Sequence, residues 1–509
     1  MRLPLQAKIW VTSLLLVLVA ADPTLLRAAP PQDKPLPNTP SAEATKESLE
    51  KAAAAGDATS MSNLGVLYEK GQGVPQDYQK AREWYEKAAA AGNAVAMYNL
   101  GVLYREGHQV PQDYQKAKQW FEKAAASGVV IAMNDLGGLY YDGRGVPQDF
   151  RKAKEWYERA AAAGNALAMN NVGLLYEQGR GVPQDYKNAR EWYEKAAVAG
   201  YAGSIYGLGV LYEEGHGVPQ DYQRARELYE KAASDGLAAA MYKLGGLYCH
   251  GQGVAQDYTK ASTWWHKAAA VGNAEAMNNL GVLYEKGQGA PQDYQKAREW
   301  YEKAAAAGDA NAMFNLAYLY EQGRGVTQDY QEARRWYEKA AAGGNALAMT
   351  NLADLYTHGQ GVQQDYQKAE EWYEKGAAAG DSYAMFDLGA MYARGEGVPQ
   401  DYAKAREWYE KAAATGDPDA QKALSALPIA PANPNAQSHY DLAVTADHQG
   451  DVDKAIAEYR RALAADPNFA AAHFRLGRVL KDSGQEQAAA EQFAAACALE
   501  PTNPQVCRK

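Results

Sequence analysis

The chain has 509 residues, 22 % of them charged and 11 % aromatic, with 36 Tyr against 7 Phe and with 47 Gly. This is a folded composition, too long for one compact core, and its bias points to one short pattern copied many times. A net charge of −10 with no basic stripe argues against nucleic acid as a partner, and three Cys are too few for a disulfide framework or a zinc-ligand set.

Residues 1–21 read as a secretory signal peptide. Arg2 and Lys8 give the positive start, and Ile9 to Val19 the apolar stretch, which is shorter than the ~20 residues of a bilayer span. Small residues Ala20 and Ala21 suit cleavage before Asp22, and no Cys follows to carry a lipid. The competing reading is an uncleaved anchor. The chain contains no Asn-x-Ser/Thr acceptor, which agrees with a bacterial envelope. The expected location is therefore periplasmic or secreted. A Pro-rich linker follows over 22–40.

From there the sequence is periodic. Met61, Met97, Met133, Met169, Ile205, Met241, Met277, Met313, Met349 and Met385 recur every 36 residues, without insertion or deletion. In the first copy Asp57 is a suitable N-cap. Met61, Leu64, Gly65 and Tyr68 then share one face of a first helix, here helix A. Gly71-Gln72-Gly73 ends that helix, Val74-Pro75-Gln76 turns, and Asp77 caps helix B. Tyr78, Ala81, Trp84, Tyr85 and Ala88 give helix B its buried face, and the Trp and Tyr are expected to be core rather than a cofactor or sugar platform. One hairpin cannot bury both stripes, but stacked hairpins can.

This pattern resembles the Sel-1-like repeat family, relatives of the tetratricopeptide repeat. The resemblance rests on L-G-x-L-Y-x-x-G-x-G-V, then D-Y-x-K-A, then W-Y-E-K-A-A-A-x-G, over residues 41–427. It implies an all-α fold, a right-handed α-solenoid superhelix of ten 36-residue units closed by half-repeat caps. Departures are few: His108-Gln109 for Gln-Gly, Leu228 for Trp, and Ala255, Thr327 and Gln363 for Pro. Cys-rich members of the family staple each hairpin with a disulfide and have been linked to β-lactam binding. This chain lacks those Cys pairs, so that activity is not carried over.

After a linker at 428–435, two 34-residue units over 436–503 resemble tetratricopeptide repeats, followed by a tail at 504–509. Leu442, Ala443, Ala455, Tyr459, Ala462 and Pro467 match Leu476, Gly477, Ala489, Phe493, Ala496 and Pro501. Two units are few for independent stability, so the pair is expected to dock on the solenoid or to be steadied by a partner. Cys497 and Cys507 are a possible disulfide from the last helix to the tail.

Sites for chemistry are absent or better explained otherwise. The recurring G-x-G-x-P-Q-D loop lacks a phosphate-binding lysine. Ser48 and Lys51 match a serine–lysine spacing but lie in the cap with no K-T-G following. His108, His216, His250 and His358 sit in separate A–B loops, too far apart to converge on one metal, and are expected to be solvated. The expectation is therefore no enzyme, no cofactor and no metal.

Comparing the copies separates packing from other roles. Three positions on helix A vary strongly at i, i+3 and i+7 and share a face, which in solenoids of this kind is the concave one. Its candidate partner-binding residues are Tyr98, Asn134, Tyr206, Tyr242, Phe314, Tyr318, Tyr383 and Phe386, a mixture suited to protein contact. The function this implies is a scaffold or adaptor for other proteins, such as envelope or signalling components, with membrane contact only through a partner or an uncleaved anchor. The resemblance admits polysaccharide export, sensor regulation or host interaction as settings. The alternatives are a cell-wall or carbohydrate-binding protein and an envelope enzyme of β-lactamase-like type.

Overall fold

The computed structural model describes residues 46–427, 433–500 and 507. The predicted signal peptide, the 22–40 linker, most of the 428–435 linker and nearly all of the tail lie outside the described residues. All regular structure among the described residues is helical, in 26 helices. The chain falls into two compact units, 1–273 and 274–509. The division lies at a repeat boundary, with six of the 36-residue repeats in the first unit and four in the second.

In the first unit the cap helix Lys46–Ala54 packs Leu49 and Ala53 against Leu64 and Leu67 of the first repeat. Helix A of that repeat spans Ala58–Lys70 and helix B spans Tyr78–Ala90. Helix B begins where Asp77 accepts the Lys80 backbone N–H at 3.0 Å, so a donor the helix cannot satisfy internally finds an acceptor. Three later A helices instead start behind Val129, Tyr201 and Leu237, none with a side-chain cap. Their position comes from packing rather than capping.

The loop between the helices has a function its repetition alone did not reveal. Gln76 donates from Nε2 to the Glu69 carbonyl at 2.8 Å, satisfying one of the last carbonyls of helix A. Every repeat keeps this bond, down to Gln400 on the Ala393 carbonyl at 2.7 Å. The loop Gln thus closes helix A while the neighbouring Asp opens helix B.

Within a hairpin the two helices meet where a glycine faces a ring. A Cβ at Gly65 would stand 2.4 Å from Cε1 of Tyr85, so the ring there occupies the space of a side chain; repeats eight and nine have Ala317 and Ala353 at this position. Tyr85, Leu64, Ala81, Ala88, Ala96 and Leu100 are fully buried. Burying each large side chain of this kind contributes about 2 kcal/mol.

The expectation that both helix B aromatics are core is corrected for one of them. The Tyr is buried, but the Trp is half-exposed in all nine copies that carry it. Trp120 packs on the core shared by helix B of the preceding repeat and helix A of its own, while Lys123 lies over its ring at 4.1 Å from the centroid. The indole is therefore a staple between repeats. Where Leu228 replaces it, the smaller side chain packs near Tyr193 and Leu211.

In the second unit, repeats seven to ten are followed by the helix Pro418–Ala426, which starts with Pro behind the Asp417 cap and buries Ala420. Four helices then form the C-terminal pair: Pro434–His448, Val452–Ala465, Ala470–Asp482 and Glu486–Leu499. Their core joins Tyr440, Tyr459, Phe469, Leu476 and Leu480, with Tyr402 of repeat ten packed against it. Tyr440 donates its O–H to Gln400 Oε1 at 3.1 Å, and Arg475 donates from Nε to the same oxygen at 2.8 Å. The pair is thus docked on the A–B loop of repeat ten. Cys497 and Cys507 are joined as a disulfide with Cα atoms 4.9 Å apart. Among the described residues no helix is long and apolar enough to cross a membrane.

Candidate protein-contact surface

The variable stripe lies on helix A, but much of it is used in packing. Asn134, Phe314, Tyr318 and Phe386 are buried, while Tyr98, Tyr206, Tyr242 and Tyr383 are half-buried. The physical reason is the helix B ring beneath. Phe314 lies on Tyr337 with centroids 5.7 Å apart, Phe386 on Tyr409 at 5.1 Å, Tyr98 on Phe121 at 5.6 Å and Tyr206 on Tyr229 at 5.5 Å. Phe314 and Phe386, candidate partner-binding residues by their variation, are instead buried and extend the hairpin core.

Polar members of the stripe interlock neighbouring copies. Asn171 donates to Asn134 at 3.1 Å, Ser204 to Asn170 at 2.9 Å and Asn315 to Asn278 at 2.9 Å. Tyr98 donates to Asp135 at 3.3 Å, and Arg105 pairs with the same carboxylate at 2.9 Å. Burial pushes the Asp135 carboxyl above the usual aspartate range, and the Arg105 guanidinium pulls it back.

Sequence comparison missed a second row, one turn nearer the end of helix A. Glu69, Glu177, Glu213, Glu285 and Glu321 each accept a hydrogen bond from the buried helix B Tyr of their own repeat; the Tyr301 to Glu285 bond is 2.7 Å long. Burial drives these phenols well above their usual pKa, with the adjacent carboxylate adding to the effect. Lys243 of the next repeat also reaches Glu213, at 3.1 Å. The signal was present in the copies: Glu69 and Glu177 accompany Tyr85 and Tyr193, but Arg105 accompanies Phe121 and Cys249 accompanies Trp265. When the ring loses its hydroxyl, the acceptor is lost with it.

The loop histidines follow the same logic of neighbours. His108 stacks on Tyr78 at 5.2 Å and His216 on Tyr186 at 4.5 Å, each ring coming from the preceding repeat. Arg180 takes the corresponding place over Phe150 at 5.5 Å. His250 and His358 instead bring Nδ1 within 2.9 Å and 2.8 Å of carbonyls of their own helices. His108, His250 and His358 are exposed as expected and His216 is half-buried, so these contacts are made at the surface. Among the described residues no group of three or more His, Cys, Asp or Glu is placed to hold a metal ion.

What remains accessible on helix A in the first unit is a row of half-buried tyrosines, Tyr98, Tyr206 and Tyr242, beside half-exposed Val102 and Val210; the second unit keeps Tyr383 and Val282 half-exposed on its own A helices. Such a row offers apolar area and hydroxyls on a rigid backing, and it does not bring a nucleophile and a base together.

Comparison with known proteins places these features. The Sel1 repeat model matches ten consecutive segments from 58–93 to 382–417. Two further models, described as TPR repeat and tetratricopeptide repeat, match 448–484 and 470–503. No curated protein is a significant match. Among solved structures, the chain is 32 % identical to c5321, a protective antigen present in uropathogenic Escherichia coli strains that displays an SLR fold. That likeness covers 91 % of this chain and 96 % of the other, with a TM-score of 0.52. A Sel1 repeat protein from Oxalobacter formigenes is 34 % identical over 49 % of this chain and 100 % of its own, with a TM-score of 0.46.

Proposed function

The chain belongs to the Sel1 repeat family, and from that premise we propose that it is a non-enzymatic, exported scaffold that holds partner proteins along its A helices. Proteins built of Sel1 and tetratricopeptide repeats are generally protein–protein interaction scaffolds. The observation that carries the reading is the division of labour between positions. Some varying positions on helix A are consumed in packing, but the rest are half-exposed tyrosines and valines that recur on that helix in several copies. Rigid, amphipathic aromatics lose little entropy on contact and suit protein recognition.

Export is supported by the positive, apolar and small-residue segments at 1–21. The similar Escherichia coli protein is described as a protective antigen, which agrees with a place outside the cytoplasm. Envelope or signalling components are the expected partners.

The test is crosslinked capture from envelope fractions with the chain from Asp22, alongside a Tyr206→Ser/Tyr242→Ser variant with unchanged helical content. A specific protein recovered with the first and lost with the second supports the scaffold. Undiminished capture by the variant removes helix A as the contact surface, and recovery of wall fragments or glycans alone replaces the proposal with a ligand-binding role.

A further inference from the structure

Helix A of repeat five, Ala202–Glu214, lacks several of the features that hold the other copies in place. It starts behind Tyr201, which makes no side-chain cap and whose hydroxyl is buried without a hydrogen-bond partner. In repeats two, four, eight and nine an Asn or Asp at this point accepts a backbone N–H at 2.7 to 2.8 Å. The helix also carries Gly203 and Gly207 besides Gly209, which faces Tyr229; no other helix A of the ten has more than two glycines. A glycine inside a helix surrenders more backbone freedom than any other residue and costs about as much as a lost cap. Gly203 and Gly207 are buried, but they take no side chain out of water.

The joint with repeat four is thinned as well. At the position of Gly207, Asn171 donates to Asn134 at 3.1 Å, Lys243 pairs with Glu213 at 3.1 Å, Asn315 donates to Asn278 at 2.9 Å and Asn351 to the Tyr337 hydroxyl at 2.8 Å. Each of those partners lies in the preceding repeat, and Gly207 has no side chain with which to reach one. On helix B, Leu228 stands where the other nine copies have the Trp staple. What the joint keeps is the bond from Ser204 to Asn170 at 2.9 Å, the burial of Ile205 and Leu208, and the approach of Gly207 to the Tyr193 ring.

We propose that repeat five is the point at which the array opens. Helix Ala202–Glu214 leaves repeat four while the neighbouring helices stay folded, and repeats one to four then move as a block relative to repeat six. The stability of such an array is a sum of repeat and joint terms, so a deficit gathered in one copy lowers the cost of opening there and not elsewhere. The row of accessible tyrosines is divided by this joint, with Tyr98 before it and Tyr242 after it, so opening changes the spacing of the row.

The experiment is native-state hydrogen exchange on the full chain, comparing 166–178 with 202–214. Two added glycines and a missing cap predict protection about a hundred-fold lower in 202–214. Tyr201→Asn/Gly203→Ala restores a cap and removes the ring that a Cβ at Gly203 would meet at 2.6 Å. It is expected to raise protection there about tenfold or more. Leu228→Trp, which restores the staple instead, is expected to act in the same direction. Equal protection of the two segments in the wild type refutes the weak helix, and protection that neither variant raises overturns the account of its cause. Motion is read from spin-label distances between Lys152→Cys and Lys260→Cys in a Cys249→Ser chain. A broad distribution that narrows on adding Tyr201→Asn/Gly203→Ala is expected, and one equally narrow in both refutes the moving block. All these readouts need no partner, so they are independent of the scaffold reading.

Discussion

Tyr301→Phe removes one oxygen from the centre of repeat seven. The ring is fully buried, and its hydroxyl donates to Glu285 at 2.7 Å. Glu285 keeps a second neighbour, Arg324, at 3.7 Å, and its side chain is 19 % exposed. A hydrogen bond to a charged group contributes about 1.5–3 kcal/mol, and the residual water and Arg324 place this one near 1.5–2 kcal/mol. Glu285→Ala leaves the phenol buried without its acceptor and is expected to cost a similar amount. The double variant removes both halves, so its cost falls below the sum by about 1–2 kcal/mol. Urea unfolding followed by circular dichroism measures the three losses, and hydrogen exchange in Ala274–Lys286 and Tyr294–Ala306 localises them. A coupling within the ~0.3–0.5 kcal/mol of independent sites would refute the reasoning. It would mean that Glu285 is held by water alone and that the Glu–Tyr rows are incidental.

Phe314→Ala and Phe386→Ala each empty a site between helix A and a buried helix B tyrosine. A loss of about 3 kcal/mol and a lowered melting temperature are expected, and an unchanged melt would return these side chains to the accessible surface. Glu177 is held above the usual glutamate range chiefly by burial, against the Tyr193 hydroxyl that donates to it. Because its folded value is raised, its contribution is full below the unfolded value of about 4.3 and is lost as pH rises through the folded value. Glu177→Gln keeps an acceptor for Tyr193 without a charge. Its melting temperature is expected to exceed the wild type at neutral pH, with the gap closing towards pH 4; a constant gap would point to a cause other than titration.

The helical hairpins were legible because their signals are local and repeated. Asp77 before an apolar stripe and Gly71 after one determine helix ends by short-range geometry, and ten copies leave the period in no doubt. The C-terminal pair was legible for the same reason, through its own 34-residue spacing. The candidate surface was read less well. Variation at Phe314 and Phe386 looked like freedom from packing, but the ring beneath lies on helix B, 23 residues further along. Burial there depends on a distant side chain that periodicity cannot weigh. The Trp row failed in the other direction, since its regular spacing suggested core while the ring is half-exposed, with a lysine rather than core over it on one side. The docking of the C-terminal pair on Gln400 had no sequence signal at all. Its two donors, Tyr440 and Arg475, belong to different units and meet a glutamine found in every repeat.

The interlocks along the A helices give the copies a fixed order. Arg105 with Asp135, Asn134 with Asn171 and Asn170 with Ser204 are pairs divided between adjacent repeats. A recombination event that deletes repeat three would place Arg105 beside Asn171 instead of Asp135, removing the ion pair between repeats and leaving the one to Glu106 in its own repeat. Copies can therefore be gained or lost by the gene only at joints whose two sides still match. The length of the array is editable, but at these joints its word order is not, and the near-identical helix B sequences conceal neighbours that are matched to one another.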